Sequence, residues 1–277
     1  MFSCLTAKAM TCMPEVKTQK VVSTLIDHSL FCNKQEGCHK KILKIGDTHP
    51  GDCISVDHYI SATQGHLPHM FGQERQGCTC STLFIDHASG KIFNFCQTLT
   101  EASQTITTKH RLEALTSKEG IKIRKYHSNN GIFASAEFKH DCDQQKQSYS
   151  FSGVGAHHQN GIAEHNIKTV VQWAHADMLN FALCWPAQAT ITLWPMAIDY
   201  AIWVFNQLPN LDSCLTPNEL WSQSRCSHED FVRSHVFGCP VYILEPTLQD
   251  GKKIPKWHPC ARLGVSLGFS SLHSSLV

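Results

Sequence analysis

Apolar and polar residues alternate in several short stretches of the chain, and this period of two is typical of β-strands. The first stretch is Cys53–Ile60. The next two, Ser81–Asp86 and Lys91–Cys96, flank Gly90 and predict a hairpin. A further stretch, Ile121–Tyr126, repeats the alternation. The pattern therefore predicts an antiparallel meander of three strands, followed by a fourth strand.

Longer stretches have apolar residues at helical spacing and predict helices over 103–119, 160–185 and 193–208. A shorter helix is predicted over 134–146, and Tyr149–Phe151 is predicted to form a brief fifth strand. A helix and strand that follow a meander are typical of a mixed α/β sheet flanked by helices.

The two ends of the chain are predicted to lie outside this sheet. Residues 1–50 keep no helical or strand period, and we interpret them as a degenerate N-terminal region. Residues 51–222 hold the sheet and its helices. Two further strands, Val236–Leu244 and Arg262–Phe269, predict a small β module at 233–277.

The amino-acid composition and the charge balance limit the classes of protein to which the chain can belong. There are 24 Lys and Arg against 23 Asp and Glu, whereas nucleic-acid binders usually carry a basic excess. The 14 cysteines are scattered without a disulfide framework, which indicates reduced thiols in a nuclear or cytoplasmic protein. No apolar run is long enough for a transmembrane helix and the first residues do not resemble a secretory signal, so we expect no membrane association.

Three places carry polar side chains with potential chemistry. Asp57 lies between apolar residues of the first strand, where an unpaired buried carboxylate is costly and needs a partner or a metal. Asn129 follows the fourth strand, and Glu164 lies in the first turn of the long helix. Each of these places also has an ordinary explanation. Asp57 can be a strand carboxylate that faces solvent, and Asn129 can belong to an Asn-Gly turn. Glu164 can be a carboxylate that the helix dipole favours.

A series of short motifs joins these places in one order and spacing. The motifs in the sheet and helices are Ser55–Tyr59, Phe84–Gly90, His158–Glu164, Leu193–Pro195, Leu208–Pro209 and Thr216–Leu220. They resemble the integrase core of copia-type LTR retrotransposon polyproteins. Two more, Val236–Tyr242 and Leu267–Phe269, resemble the small β-barrel that follows integrase in these polyproteins, so the resemblance covers about residues 50–277.

The resemblance implies a ribonuclease-H-like fold and an Asp-Asp-Glu triad that holds two Mg²⁺ or Mn²⁺ ions for DNA integration by polynucleotidyl transfer. By position, Asp57 matches the first Asp and Glu164 the Glu, but the second Asp falls on Asn129. Because Asn is neutral, we expect weak metal binding and an impaired catalytic site. Asp86 on an adjacent strand is an alternative carboxylate, and the sequence leaves open whether this copy is an enzyme.

The resemblance also implies a His-His-Cys-Cys zinc module before the core. Its nearest remnants are His28, Cys32, Cys38 and His39, whose spacing does not fit, so we expect no intact zinc site. The implied partners are the DNA ends of the retroelement, target DNA and other domains of the polyprotein. A functional copy is expected to form a homo-oligomer.

Two other hypotheses follow from the same sequence. The chain could be a nucleic-acid-binding or assembly module without catalysis, or a transposon relic with no selected function. A solvated surface explains the basic residues equally well. The residues that could contact phosphates are Lys122, Arg124, Lys125, Lys168, Lys252, Lys253 and Lys256.

Overall fold

A computed structural model gives the structure of the chain. Most of the predicted N-terminal region, with all of its zinc-ligand candidates, lies outside the described residues. Those residues are 48–66, 77–153, 160–211, 213–226, 229–232 and 234–269.

One mixed sheet of five strands forms the centre of the structure. The strands are β1 Ile54–Gly65, β2 Cys78–Asp86, β3 Ile92–Gln97, β4 Lys125–Ser128 and β5 Ser148–Phe151. Their order in the sheet is β3-β2-β1-β4-β5. β1, β2 and β3 are antiparallel, whereas β4 runs parallel to β1 and β5 parallel to β4. This order, with helices on both faces, confirms the predicted ribonuclease-H-like α/β fold.

Helices cover the sheet on both sides, and the four helices predicted from the sequence are present. In the described residues the helices are α1 Ala102–Lys118, α2 Ala136–Gln144, α3 Gly161–Cys184, α4 Trp194–Gln207, α5 Pro217–Ser222, α6 Glu229–Val232 and α7 Pro246–Gln249. Short 3₁₀ turns occur at Ile132–Ala134 and Ile191–Leu193. None of the helices in the described ranges has the length and apolar character needed to cross a membrane.

The fourth strand begins later than its alternation predicted. Ile121 still belongs to the end of α1, because its N–H donates to Thr116 O at 3.0 Å. Arg124 N–H donates to Gly51 O at 2.9 Å, outside the sheet. Pairing with β5 starts only at Lys125, opposite Ser148. The prediction of Ile121–Tyr126 was therefore wrong at both ends, because alternation shows an extended chain and not where its partner strand begins.

The two faces of the sheet carry separate hydrophobic cores. On one face, α1 and α2 cover a cluster that includes Val56 and Phe84. On the other face, α3 and α4 cover a cluster that includes Leu83 and Ile85. Asp57 lies opposite Leu83 in the β1–β2 register, so its side chain belongs to the α3 and α4 face.

The C-terminal part contributes a two-stranded ribbon. Its strands are β6 Pro240–Leu244 and β7 Ala261–Val265, which pair antiparallel. Just before β6, the ring of Phe237 packs edge-on against Phe181 of α3 at a centroid distance of 5.9 Å. The start of the ribbon is thereby fixed to the main core, and a barrel at this end stays a prediction.

The side chain of Asn206 on α4 forms hydrogen bonds with the backbone of β3 at the outer edge of the sheet. Its Oδ1 accepts from Ile92 N at 3.0 Å, and its Nδ2 donates to Ile92 O at 2.9 Å. Both atoms of the amide thus replace a neighbouring strand at a buried backbone position, which ties α4 to the sheet.

We expect Asn206→Ala to lower the free energy of unfolding by about 2 kcal/mol, because a buried backbone N–H and C=O lose their partners. Urea denaturation followed by circular dichroism measures the change. The matched control is Asn180→Ala on α3, whose amide oxygen accepts a long 3.9 Å contact from the Cys184 thiol. The control should change the free energy by less than about 0.5 kcal/mol. Equal effects of both substitutions would contradict the assigned role.

Candidate active site

The parallel pairing of β1 with β4 brings Asp57 and Asn129 together. Val56 lies opposite Ser128 in the register, so the next residue along each strand is Asp57 on one side and Asn129 on the other. Asn129 Nδ2 donates a hydrogen bond of 3.0 Å to Asp57 Oδ2. Two of the three residues named from the sequence therefore meet in the structure.

Ser152 fixes the orientation of the Asn129 amide. The Ser152 hydroxyl donates to Asn129 Oδ1 at 3.1 Å, and the Ser152 side chain is buried. Because an ionised carboxylate can only accept hydrogen bonds, the amide nitrogen must face Asp57 and the amide oxygen must face Ser152. Asp57 lies in β1, Asn129 directly follows β4 and Ser152 directly follows β5. Three neighbouring strands thus position these three side chains.

The second oxygen of Asp57 also has a donor. The backbone N–H of His58 donates to Asp57 Oδ1 at 2.8 Å. The His58 ring lies on the opposite face of β1, where it stacks on Phe133 at a centroid distance of 4.5 Å. Burial lowers the pKa of His58 to about 4, so this ring is neutral near pH 7 and brings no positive charge close to Asp57.

The start of α3 lies against β1 beside Asp57. Asn160, fully buried at the N-terminal cap position of α3, donates from Nδ2 to Val56 O at 3.1 Å. Glu164 lies one helical turn further on the same side of α3, and its side chain is exposed. No hydrogen bond or ion pair among the described residues joins Glu164 to Asp57 or Asn129. Residues 154–159, which include His158 of the motif, lie outside the described residues.

Asp86, the alternative carboxylate, has a different role. It is fully buried and accepts hydrogen bonds from Gly51 N at 2.9 Å, Ser89 N at 2.8 Å and Ser89 Oγ at 2.7 Å. These bonds shape the turn between β2 and β3. In the register Asp86 lies opposite Ile54, three positions before Asp57. Asp86 is therefore fixed in a structural role and is not a third ligand beside Asp57.

The carboxylate of Asp141, further along the chain, is also engaged elsewhere. Its oxygens contact Lys109 Nζ at 2.6 Å and His110 Nε2 at 2.7 Å, which joins α2 to α1. Burial opposes ionisation of Asp141, but the bonds from Lys109 and His110 outweigh it and hold the pKa below its ordinary value.

The residues present do not fit a centre for two divalent ions. Such ions prefer several anionic oxygens, and here the neighbour of Asp57 on the adjacent strand is the neutral Asn129. The Asn129 amide nitrogen moreover faces the Asp57 oxygen that a cation would need. The described residues contain no group of three or more His, Cys, Asp or Glu side chains that could hold a metal ion. Weak Mg²⁺ or Mn²⁺ binding stays a prediction, as do the roles of Asp57, Asn129 and Glu164.

Two residues at this site were missed by the sequence reasoning. Ser152 gave no signal, because its contact with Asn129 depends on the pairing of β4 with β5. Asn160 was named at the start of a helix and within the His158–Glu164 motif but was given no role, since its bond to Val56 O depends on how α3 packs on β1.

Comparison with solved structures gives matches to integrase structures at low identity. Two of these structures are the HTLV-2 integrase catalytic core domain in complex with magnesium, in a trimeric and a dimeric form. Each is 18% identical to this chain, with a TM-score of 0.43. Each match covers 62% of this chain and 97% of that chain. It is also similar to a chain of the simian T-cell lymphotropic virus intasome in complex with PP2A regulatory subunit B56 gamma, with 15% identity, a TM-score of 0.47, and coverage of 79% and 68%. No protein-family model and no curated protein matches the chain. The fold assignment rests on the strand order and register.

A further carboxylate, that of Asp199 on α4, lies on the same face of the sheet as Asp57. Its Oδ1 accepts from Asn94 Nδ2 at 2.6 Å, and Tyr59 OH donates to Asn94 Oδ1 at 3.4 Å. Burial raises the pKa of Asp199 to about 6, and the bond from Asn94 only partly offsets the lost hydration. The folded protein therefore binds this proton more tightly than the unfolded chain does. The resulting stability is present below about pH 4 and is lost as the pH rises through about 6.

We expect Asp199→Asn to raise the free energy of unfolding by about 2 kcal/mol at about pH 7.5, because it removes a buried charge and keeps an oxygen for Asn94. The difference from the unmodified chain should shrink below about pH 5, where Asp199 is protonated. Urea denaturation over this pH range measures it, with Asp143→Asn on the exposed side of α2 as the control. A difference that does not depend on pH would contradict the assignment.

Proposed function

We propose that this chain is the integrase core of a copia-type LTR retrotransposon polyprotein, in a copy whose DNA-integration chemistry is impaired. The observation that supports it most is the hydrogen bond between Asp57 and Asn129 on neighbouring strands. These are the positions that the resemblance assigns to the first two carboxylates of the triad. The start of α3, which carries Glu164, is bonded to β1 next to them through Asn160.

The impairment follows from the charge at the site. Asp57 and Glu164 without a third carboxylate hold divalent cations weakly. Carboxylates that hold no cation also repel the phosphodiester that integration has to attack. Loss of one such electrostatic group typically lowers a catalytic rate by about a hundredfold to a thousandfold. In this proposal the partners of a functional chain are retroelement ends, target DNA, other polyprotein domains and further copies of the chain, in the nucleus or cytoplasm.

A second candidate function is nucleic-acid binding without catalysis. It is favoured by the segment between α7 and β7, where Lys252, Lys253 and Lys256 are exposed. Trp257 in the same segment is 90% exposed, and Lys256 Nζ lies 5.4 Å from the centroid of its ring. Lysines next to an exposed aromatic ring suit a single strand, since they can contact phosphates while a base stacks on the ring.

The first candidate predicts that Asn129→Asp restores activity. DNA nicking and strand transfer with Mn²⁺ should be at least about a hundredfold faster for Asn129→Asp than for the unmodified chain, because the third carboxylate returns. The control is the double variant Asn129→Asp with Asp57→Ala, which should lose the gain. If the unmodified chain is active and Asp57→Ala abolishes that activity, this copy is a working enzyme and the proposed impairment is wrong.

The second candidate predicts that Trp257→Ala weakens binding of single-stranded DNA by about tenfold, because the stacking surface for one base is lost. Fluorescence anisotropy with a labelled oligonucleotide at several salt concentrations measures the affinity and its salt dependence. Thr247→Ala on α7 is the control and should leave the affinity unchanged. Equal affinities of all three proteins would remove this candidate.

A further inference from the structure

We propose that the hydrogen-bond chain Ser152–Asn129–Asp57 takes the place of a metal ion in this site. The chain holds Asp57 in position without a cation and keeps divalent ions away from it. The inference rests on the proposed function only in taking Asp57 and Asn129 as the place where the resemblance implies a metal.

Both carboxylate oxygens of Asp57 accept hydrogen bonds. One oxygen accepts from Asn129 Nδ2 at 3.0 Å and the other from His58 N at 2.8 Å. Each oxygen thus faces the positive end of an N–H dipole, which stabilises the ionised carboxylate as a cation would. A metal ion that binds the Asn129-facing oxygen of Asp57 has to displace the amide first.

The amide of Asn129 cannot turn its oxygen towards such an ion at low cost. Its Oδ1 accepts from the Ser152 hydroxyl at 3.1 Å. Rotation of the amide would bring Oδ1 against Asp57 Oδ2, where two acceptors repel, and would lose the hydrogen bond that Asn129 donates to Asp57. The orientation in the structure is the one that leaves each of these atoms paired.

Ser152 is itself held in place by its backbone. Its N–H donates to Ser128 O at 3.0 Å, continuing the pairing of β4 with β5. Its carbonyl oxygen accepts from Asn130 Nδ2 at 2.8 Å. Because the residue is also buried, its hydroxyl stays directed at Asn129. Ser152 is thus a positioning residue that acts on Asp57 through Asn129.

The substitution Asn129→Asp separates these effects. It replaces the donor to Asp57 with a second carboxylate at hydrogen-bond distance, so the two residues repel unless a cation lies between them. The variant should therefore depend on metal for its stability, while the unmodified chain should not. Asn180→Asp introduces the same charge on α3, away from β1 and β4, and serves as the matched control.

Thermal unfolding of the full chain and these variants, in EDTA and in about 5 mM Mn²⁺, tests the proposal. We expect the unmodified chain and Asn180→Asp to change by less than about 1 °C with Mn²⁺. In EDTA, Asn129→Asp should unfold about 5 °C lower than the unmodified chain, and Mn²⁺ should restore at least about half of the loss.

Two outcomes would overturn the proposal. If Mn²⁺ stabilises the unmodified chain as much as it stabilises Asn129→Asp, the amide does not exclude the ion. An Asn129→Asp variant as stable as the unmodified chain, and indifferent to Mn²⁺, would show that the hydrogen bond does not hold Asp57.

A second measurement needs no variant and decides the matter if Asn129→Asp does not fold. Mn²⁺ is paramagnetic and broadens the NMR signals of nearby nuclei. In the unmodified chain, titration with Mn²⁺ should leave the amide signals of Asp57, His58 and Asn129 as sharp as those of the remaining core. Selective broadening of these three signals would overturn the proposal. If Asn129→Asp gains stability from Mn²⁺ but does not process DNA, the proposed function fails and this inference stands.

Discussion

The parallel pairing of β1 with β4 is the constraint on which the candidate site depends. The crossover through α1 brings Asn129 beside Asp57, although 72 positions separate them in the sequence. A slip of one residue would turn Asn129 to the opposite face of the sheet. The register is held by the buried side chains of Ile54, Val56 and Tyr126, which pack under α1 and α2. The hydrophobic core thus sets which polar side chains can meet.

With that register fixed, the identity of one side chain decides the character of the site. Two carboxylates at these positions would repel each other and need a cation, so stability and metal binding would be linked. An amide removes the repulsion, because Asn129 donates to Asp57 and accepts from Ser152. A single substitution can therefore end both the chemistry of such a site and its need for metal, while the fold stays the same.

The fold was largely predictable because its elements carry clear periods. The meander of β1, β2 and β3 and the long helix α3 follow from alternation and helical spacing. The start of β4 at Lys125 was missed, because a strand begins where its partner begins. The site was predictable only in part. Asp57 and Asn129 could be named from the motif order, but the role of Ser152 depends on contacts between strands that no local pattern encodes.

In this site we propose that Asn129, and not a metal ion, holds Asp57. A crystal structure of the unmodified chain grown in Mn²⁺, with anomalous scattering recorded at the manganese edge, tests it most directly. We expect no anomalous peak beside Asp57 and an Asn129 nitrogen within hydrogen-bond distance of the carboxylate. A manganese peak between Asp57 and Glu164, with the Asn129 oxygen turned towards it, would show that a metal ion and not the amide holds Asp57.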